Sequence, residues 1–508
     1  MAKINRRDIL KLSLAVPAAA GIAHLGSSPF VKRSSADDKP ANIIIFVFDT
    51  MSAKNLSLYG YPRSTTPNFE KFAGRANVYH AHLAGGNFTV PGTASILTGM
   101  YPWTHRAINH SGFISRNMTD RNIFRLAGRD YHRFAYSQNL WAVHLLSQFQ
   151  GDIDKMLSPT AFSSTHQVIG ENFPRDLQAA YLSLDEFLFW EDNPPGSLIF
   201  GIPERAWLGY KSVHVEDDNF DYPSGMPNTT LLPIYFRLDE VFDGVRDALR
   251  SLPSPYLAYI HLWGVHLPYR PHERFYNAFQ SDWQPEEKPR HAIGGRISYP
   301  EQLKRLKRYD EYIATIDYEF GRLIDELERD GTLDDSYVFV TADHGESFER
   351  GIQGHTTPTL FEPLLHIPMI VSSPGQTERL DVHSPTSSVD LVASIADISG
   401  QAVPEWCEGQ PLPGLVGNKN IDRSIFAVEA KATTPNSPML KASTAMLMDH
   451  YKLVHYLGED YNLFELYDLE NDPEELNNIF ELAPEIAGPM QAELLHRFNL
   501  ANEPYQLK

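Results

Sequence analysis

The run NIIIFVFDT, residues 42–50, decides the fold. From Ile43 to Phe48 every residue is apolar, and no polar residue alternates with them. A half-exposed strand alternates with period two. An unbroken apolar run of this length predicts a strand buried on both faces, as in a parallel sheet covered by helices. The run stops at Asp49-Thr50. Related runs are HRFAYS (132–137), PYLAYIHL (255–262), SYVFVT (336–341) and IPMIVSS (367–373). SYVFVT is followed by Ala342-Asp343-His344-Gly345, and PYLAYIHL leads to His266. From Glu301 to about Arg329, Leu303, Leu306, Tyr309, Ile313, Ile316, Phe320, Leu323 and Leu327 recur every three or four residues. That spacing predicts a helix with one apolar stripe, and Gly331 is a suitable C-cap. Strands alternating with helices predict an α/β fold. Ligands in such folds gather at the carboxyl ends of strands. Asp49, Asp343 and His344 follow directly on buried strand runs.

Composition sets the outer limits. With 508 residues, 42% hydrophobic and 12% aromatic, the chain can bury a large core in more than one domain. A net charge of −20 with no Lys/Arg-rich stripe excludes a nucleic-acid partner. An anionic substrate then needs a local positive charge, such as a metal ion. The single cysteine, Cys407, rules out a disulfide within the chain and a cysteine metal cluster. The N-terminus reads MAKINRRDILKLSLAVPAAAGIAHLGSS, with Arg6-Arg7 ahead of an apolar run from Leu12 to Ala23. It resembles a twin-arginine export signal, and the run is too short for a stable membrane span. The expectation is a bacterial or archaeal protein exported to the periplasm or beyond by the twin-arginine machinery, with no stable span after signal cleavage.

The chemistry centres on GGNFTVPGTASILTG, residues 85–99. Thr89 stands two residues before Pro91, where a helix starting around 91–93 is expected. Thr89 is either a cap for that helix or a nucleophile. Asp49, Thr89, Asp343 and His344 together offer oxygen and nitrogen donors without thiolate. Such a set suits zinc, manganese or magnesium.

Six ordered segments carry a resemblance to a known family: FDTMSAKNLSLYGYPRSTTPNFEKFA (48–73), TVPGTASILTGMYP (89–102), HLWGVHLPYRPHERF (261–275), TADHGESF (341–348), GHTTPTLFEPLLHIPMIV (354–371) and ELYDLENDPEELNNI (465–479). In this order they resemble the sulfatase family of the alkaline phosphatase superfamily. The resemblance implies a mostly parallel central sheet flanked by helices, with a small C-terminal antiparallel sheet and helix. The strand-like runs SIFAVEAKA, TAMLMDH and YKLVHYL and a helix near 484–498 fit that C-terminal part. The implied organisation is a signal peptide and linker over 1–34, a catalytic domain over 38–415 and a C-terminal subdomain over 416–508. Residues 138–252 form a variable insertion within it, rich in aromatics, Pro, Gly and Asp, with Trp190 and Trp207 as candidates for walling the site.

The resemblance also implies roles. Asp49, Asp343 and His344 would bind one divalent ion, with Thr89 at the nucleophile position touching it. Zinc or manganese ranks ahead of calcium or magnesium, because His344 stands where calcium-dependent sulfatases often have Asn. Two-metal relatives carry Asp four residues before the histidine matched by His266; here that residue is Leu262, so one ion is expected. His266 would contact the ester or protonate the leaving group. His355 falls where many sulfatases have lysine, and His105 aligns with a histidine near the nucleophile.

The departures redirect the chemistry. Sulfatases oxidise Cys or Ser to formylglycine at the nucleophile position. Threonine has a methyl on Cβ, so the same oxidation would give a ketone instead of the required aldehyde. Thr93 replaces the motif arginine, Gly92 its serine, and Thr50 a common second aspartate. These changes predict a metal-dependent hydrolase or transferase cleaving a phosphate diester or similar monoanion through a Thr89 phosphoryl-enzyme. The alternatives are sulfate-ester hydrolysis without formylglycine and a non-catalytic binding protein. The substrate is expected to be a small-molecule, lipid or glycan ester.

Overall fold

In the computed structural model, β1 (Asn42–Phe48) is buried along its whole length. The structure describes residues 40–110, 112–164, 206, 221–229, 234–280, 283–415, 423–434 and 436–506. The export-signal reading of 1–34, and Trp190 and Trp207, lie outside the described residues. Among the described residues, no helix is long and apolar enough to cross a membrane.

The remaining strands of the main sheet are β2 (Asn77–Tyr79), β4 (His132–Ser137), β5 (Lys155–Met156), β6 (Tyr256–Leu262), β7 (Ser336–Thr341), β8 (Met369–Ser372) and β9 (Leu380–Val382). Their order is β5-β4-β6-β1-β7-β8-β2-β9. β1 pairs in parallel with both β6 and β7, and the β4·β6, β4·β5 and β2·β9 pairs are parallel too. β8 runs antiparallel to β7 and β2, so the sheet is mixed with a parallel centre.

Both faces of β1 are used, as its unbroken apolar run requires. Ile44, Phe46 and Phe48 face the long helix Tyr299–Arg329, where Phe320 sits edge-on to both Phe46 and Phe48. Ile43, Ile45 and Val47 face Val90, Ala94 and Leu97 of the helix Thr89–Thr98 and Leu391 and Ile395 of the helix Asp390–Ile398. Alternate residues of one strand thus feed two cores.

Two short strands, β3 (His82–Leu83) and β10 (Thr386–Ser387), pair with each other. The C-terminal sheet has four strands: β11 (Ile425–Glu429), β12 (Ala442–Met448), β13 (Tyr451–Leu457) and β14 (Asn462–Asp468), all antiparallel. The helix Pro484–Asn502 packs against it through Met490, Leu494 and Phe498. Tyr101 and Trp103, which precede this sheet in the chain, meet Phe426 in the same cluster and tie it to the part that holds the main sheet.

Candidate active site

β1, β6 and β7 are neighbours, and their carboxyl ends deliver Asp49, His261, Asp343 and His344 to one place. The helix Thr89–Thr98 approaches from the face of Val47. Its first residue is Thr89, two residues earlier than Pro91 suggests, and Phe88 occupies the N-cap position. Pro91 is compatible with this start because the first helical amides need no intrahelical acceptor. Thr89 is therefore helical and not the cap. Its hydroxyl lies 3.5 Å from His344 Nε2 and 3.3 Å from Asn139 Nδ2.

Close approach of helix and strand depends on Gly92. A Cβ there would lie 2.1 Å from the Asp343 carbonyl oxygen, so no side chain fits. The Asp49 end is held by the long helix. Tyr309 Oη donates to the Thr50 carbonyl at 2.6 Å and accepts from Ser52 N at 3.0 Å. Thr50 has φ of 61°, a left-handed conformation that a β-branched residue adopts at a cost of about 1–3 kcal/mol. The Asp343 carboxylate helps to hold it there, accepting from Thr50 N at 3.4 Å and from His344 N at 3.0 Å.

The ring of His344 has a defined tautomer. Nδ1 donates to the Gly345 carbonyl at 2.9 Å, so Nε2 carries the lone pair. Nε2 faces Asp49 Oδ1 at 3.5 Å and Asp343 Oδ2 at 3.7 Å. Burial, with His355 adjacent, keeps this imidazole neutral. Burial also pushes both carboxylates up: Asp343 to about 7, and Asp49 through burial and then its neighbour Asp343.

His261 belongs to this group, although sequence spacing directed attention to Leu262. In β6 the side chains of Leu257, Tyr259 and His261 share the face of Val47, whereas Leu262 turns into the opposite core. His261 Nε2 is 3.7 Å from Asp343 Oδ2, and its Nδ1 is 3.2 Å from Tyr259 Oη. Ligand atoms of Asp49, His261 and Asp343 lie within 4.8 Å of one another. His261 Nε2 and Asp49 Oδ1 are buried and lack a hydrogen-bond partner among the described residues. Two carboxylates and two neutral imidazoles, with orphaned atoms converging, fit a divalent cation. Asp49, His261, Asp343 and His344 would hold it, with the Tyr259 hydroxyl fixing the His261 ring from behind.

Asn139 is a second residue that sequence reasoning missed. It caps the helix Leu140–Ser147, its Oδ1 accepting from Trp141 N at 2.8 Å. That bond turns Nδ2 into the site, where it donates to Asp49 Oδ2 and reaches Thr89.

The other expected histidines divide. His355 and His266 are here: ring centroids are 4.6 Å apart for His344–His355 and 5.1 Å for His355–His266. His355 Nδ1 is 3.1 Å from Glu346 Oε1, and Tyr269 Oη donates to Glu346 Oε2 at 3.0 Å. His266 Nδ1 donates to its neighbour's carbonyl, that of Leu267, at 2.8 Å, and burial lowers the ring to about 3. His105 is placed elsewhere. It is fully buried, its Nε2 3.2 Å from Ser95 Oγ and its Nδ1 accepting from Ala107 N at 3.1 Å. It braces the Thr89 helix one to two turns beyond Thr89. Thr93, at the motif-arginine position, is also fully buried and faces Asp343 Oδ2 at 3.5 Å.

Comparison with known proteins gives the family and the fold. Residues 41–401 match the family model Sulfatase. The chain belongs to the sulfatase family. Residues 356–501 of this sulfatase-family chain also match N-sulphoglucosamine sulphohydrolase, C-terminal. An N-acetylglucosamine-6-O-sulfatase of Bacteroides thetaiotaomicron is 23% identical over 96% of this chain and 90% of its own length. Arylsulfatase K of Xenopus laevis is 28% identical, but over 48% of this chain and 46% of the relative. Among solved structures, one in complex with its substrate D-glucosamine-2-N,6-O-disulfate superimposes with TM-score 0.64 at 18% identity, covering 92% of this chain and 98% of that one. A phosphonate monoester hydrolase from Silicibacter pomeroyi has TM-score 0.61 at 18% identity, covering 91% and 96%. These likenesses establish the alkaline-phosphatase-like sulfatase fold.

Proposed function

We propose that this protein cleaves monoanionic phosphorus esters, a phosphodiester or phosphonate monoester, with Thr89 as nucleophile. The observation that carries the reading is the Thr89 hydroxyl itself, 3.5 Å from His344 Nε2 in the midst of Asp49, Asp343 and His344. A threonine there supplies an alcohol and has no route to an aldehyde. A divalent cation held by Asp49, His261, Asp343 and His344 would lower the pKa of that alcohol and neutralise charge on the transferred group.

Each residue then has a task. Thr89 Oγ1 attacks phosphorus, forming the Oγ1–P bond as the ester P–O bond breaks, and its proton passes to a neighbouring base. The Asn139 amide donates to Thr89 Oγ1 and fixes its direction. His266, neutral at ordinary pH and with a lone pair on Nε2, relays the Thr89 proton to the departing alkoxide. Water then cleaves the Oγ1–P bond and restores the threonine. Fold likeness to a phosphonate monoester hydrolase supports this choice.

The second reading is sulfate-ester hydrolysis without formylglycine, supported by the N-acetylglucosamine-6-O-sulfatase relative aligned over nearly the whole chain. A panel of aryl phosphate, bis-aryl phosphate, phosphonate monoester and aryl sulfate separates the two. Mass spectrometry of acid-quenched enzyme is expected to find a phosphoryl adduct on the Thr89 peptide. Turnover restricted to the sulfate, surviving Thr89→Ala, overturns the proposal. The Arg6-Arg7 pattern further supports export, which cell fractionation of an intact and an Arg6→Lys/Arg7→Lys chain tests.

A further inference from the structure

One cation near the site is used by none of the steps above. Lys431 follows β11, in the C-terminal part, yet its ammonium reaches the segments that frame Thr89. Nζ donates to the His355 carbonyl at 2.9 Å and lies 3.4 Å from Asn87 Oδ1 and from the Thr357 carbonyl. It stands 4.4 Å from the ring centroid of Phe88, the residue immediately before the nucleophile. Lys431 is half-buried, at the rim of the segments that frame Thr89. His110 stands on the same rim, its ring 5.3 Å from that of Phe88.

The ammonium is held by neutral oxygens. Glu429 is the acidic residue whose charge acts on it, but Glu429 Oε1 accepts from the Lys431 main-chain amide at 2.9 Å. Among the described residues no carboxylate forms an ion pair with Nζ. Burial lowers Lys431 only to about 8, so it stays largely charged at neutral pH. A partly buried cation with no carboxylate paired to it, on the rim of a site that handles anionic esters, is completed by an anion. Nearer Thr89, the residues described above are carboxylates, an amide and neutral imidazoles.

We propose that Lys431 is the anion-recognising residue of this site, contacting non-bridging oxygens of the substrate's transferring group from the C-terminal sheet. The proposal rests on the anionic-ester reading of the site, and the two can fail separately. The test compares metal-loaded wild type, Lys431→Met and Lys431→Arg by calorimetric titration with inorganic phosphate and with inorganic sulfate, alongside kcat and KM on whichever ester the wild type turns over. Lys431→Met is expected to weaken anion binding by about tenfold or more and to raise KM more than it lowers kcat, while Lys431→Arg stays within about threefold. Lys431→Gln, which keeps a hydrogen-bonding end without charge, gives the same reading if Lys431→Met does not fold. Anion binding unchanged in Lys431→Met and Lys431→Gln, or absent from the wild type, overturns the assignment. Ester turnover with unchanged anion binding removes Lys431 and leaves the Thr89 chemistry. Weakened binding without any ester turnover does the reverse.

Discussion

Thr89 Oγ1 stands 3.5 Å from His344 Nε2, and the tautomer of His344 is set by its Nδ1 bond to the Gly345 carbonyl. The lone pair of Nε2, the Asp49 and Asp343 oxygens and the threonine oxygen therefore face one point. If that oxygen is the nucleophile, Thr89→Ala is expected to lower kcat by roughly a thousandfold or more, while Thr89→Ser keeps most of the rate. Metal content by elemental analysis should be close to wild type in both. Thr89→Ala with near-normal kcat would mean that another group, or water, attacks the ester.

His261 is expected to behave as a metal ligand. Its Nε2 is buried without a partner and 3.7 Å from Asp343 Oδ2, and the Tyr259 hydroxyl supports Nδ1. Removing one ligand of four, as in His261→Ala, should weaken metal binding by tenfold to a hundredfold or more in a chelator competition. Tyr259→Phe, which removes only the outer support, should cost less. Cobalt-substituted protein should show a changed visible spectrum in His261→Ala. Unaltered affinity and spectrum would place His261 outside the coordination sphere.

These two residues show what the sequence revealed and what it hid. The buried strands were legible because unbroken apolar runs such as Ile43–Phe48 have one structural solution, and Asp49, Asp343 and His344 follow directly from where those runs end. His261 is hidden in the sequence because spacing from His266 points to Leu262. Alternation along β6 decides its direction instead, turning His261 to the site and Leu262 away from it. Asn139 was hidden because a helix-capping asparagine looks the same whether or not its other end reaches a site. β14 was missed because NLFELYD is an exposed edge strand of mixed composition. The Thr89 helix starts earlier than Pro91 suggests because proline is also tolerated at the third helical position, where the amide needs no intrahelical acceptor. His105 lies beside Ser95 and Ala107, which hold its ring one to two turns along the helix from Thr89.

Gly92→Ala sets two effects against each other. Alanine is the better helix former by about 1 kcal/mol. Its Cβ, however, would lie 2.1 Å from the Asp343 carbonyl oxygen, and neither backbone can yield cheaply. Overpacking of this kind costs about 1–3 kcal/mol, so the clash wins. The variant is expected to melt several degrees lower and to bind metal less tightly, since relief of the clash moves Asp343. Differential scanning calorimetry and a metal titration measure both. A higher melting temperature with unchanged metal affinity would show that the helix does not press on the strand end.

The carboxylate pair makes metal-dependent stability a function of pH. Burial raises Asp343 to about 7 in the folded chain, against about 4 when unfolded. Between those values the metal-free folded state holds a proton that the unfolded chain has released. The stability contributed by that proton is fully present below about pH 4 and is lost as pH rises through about 7. Metal-free protein should therefore lose stability across this window. A bound cation needs the ionised carboxylate, so its stabilisation runs the other way, small at pH 5 and growing towards pH 8. Melting temperatures of chelator-treated and metal-loaded protein between pH 4.5 and 8 should diverge as pH rises. Parallel curves would mean that Asp343 is ionised throughout and that protons do not compete with the metal for it.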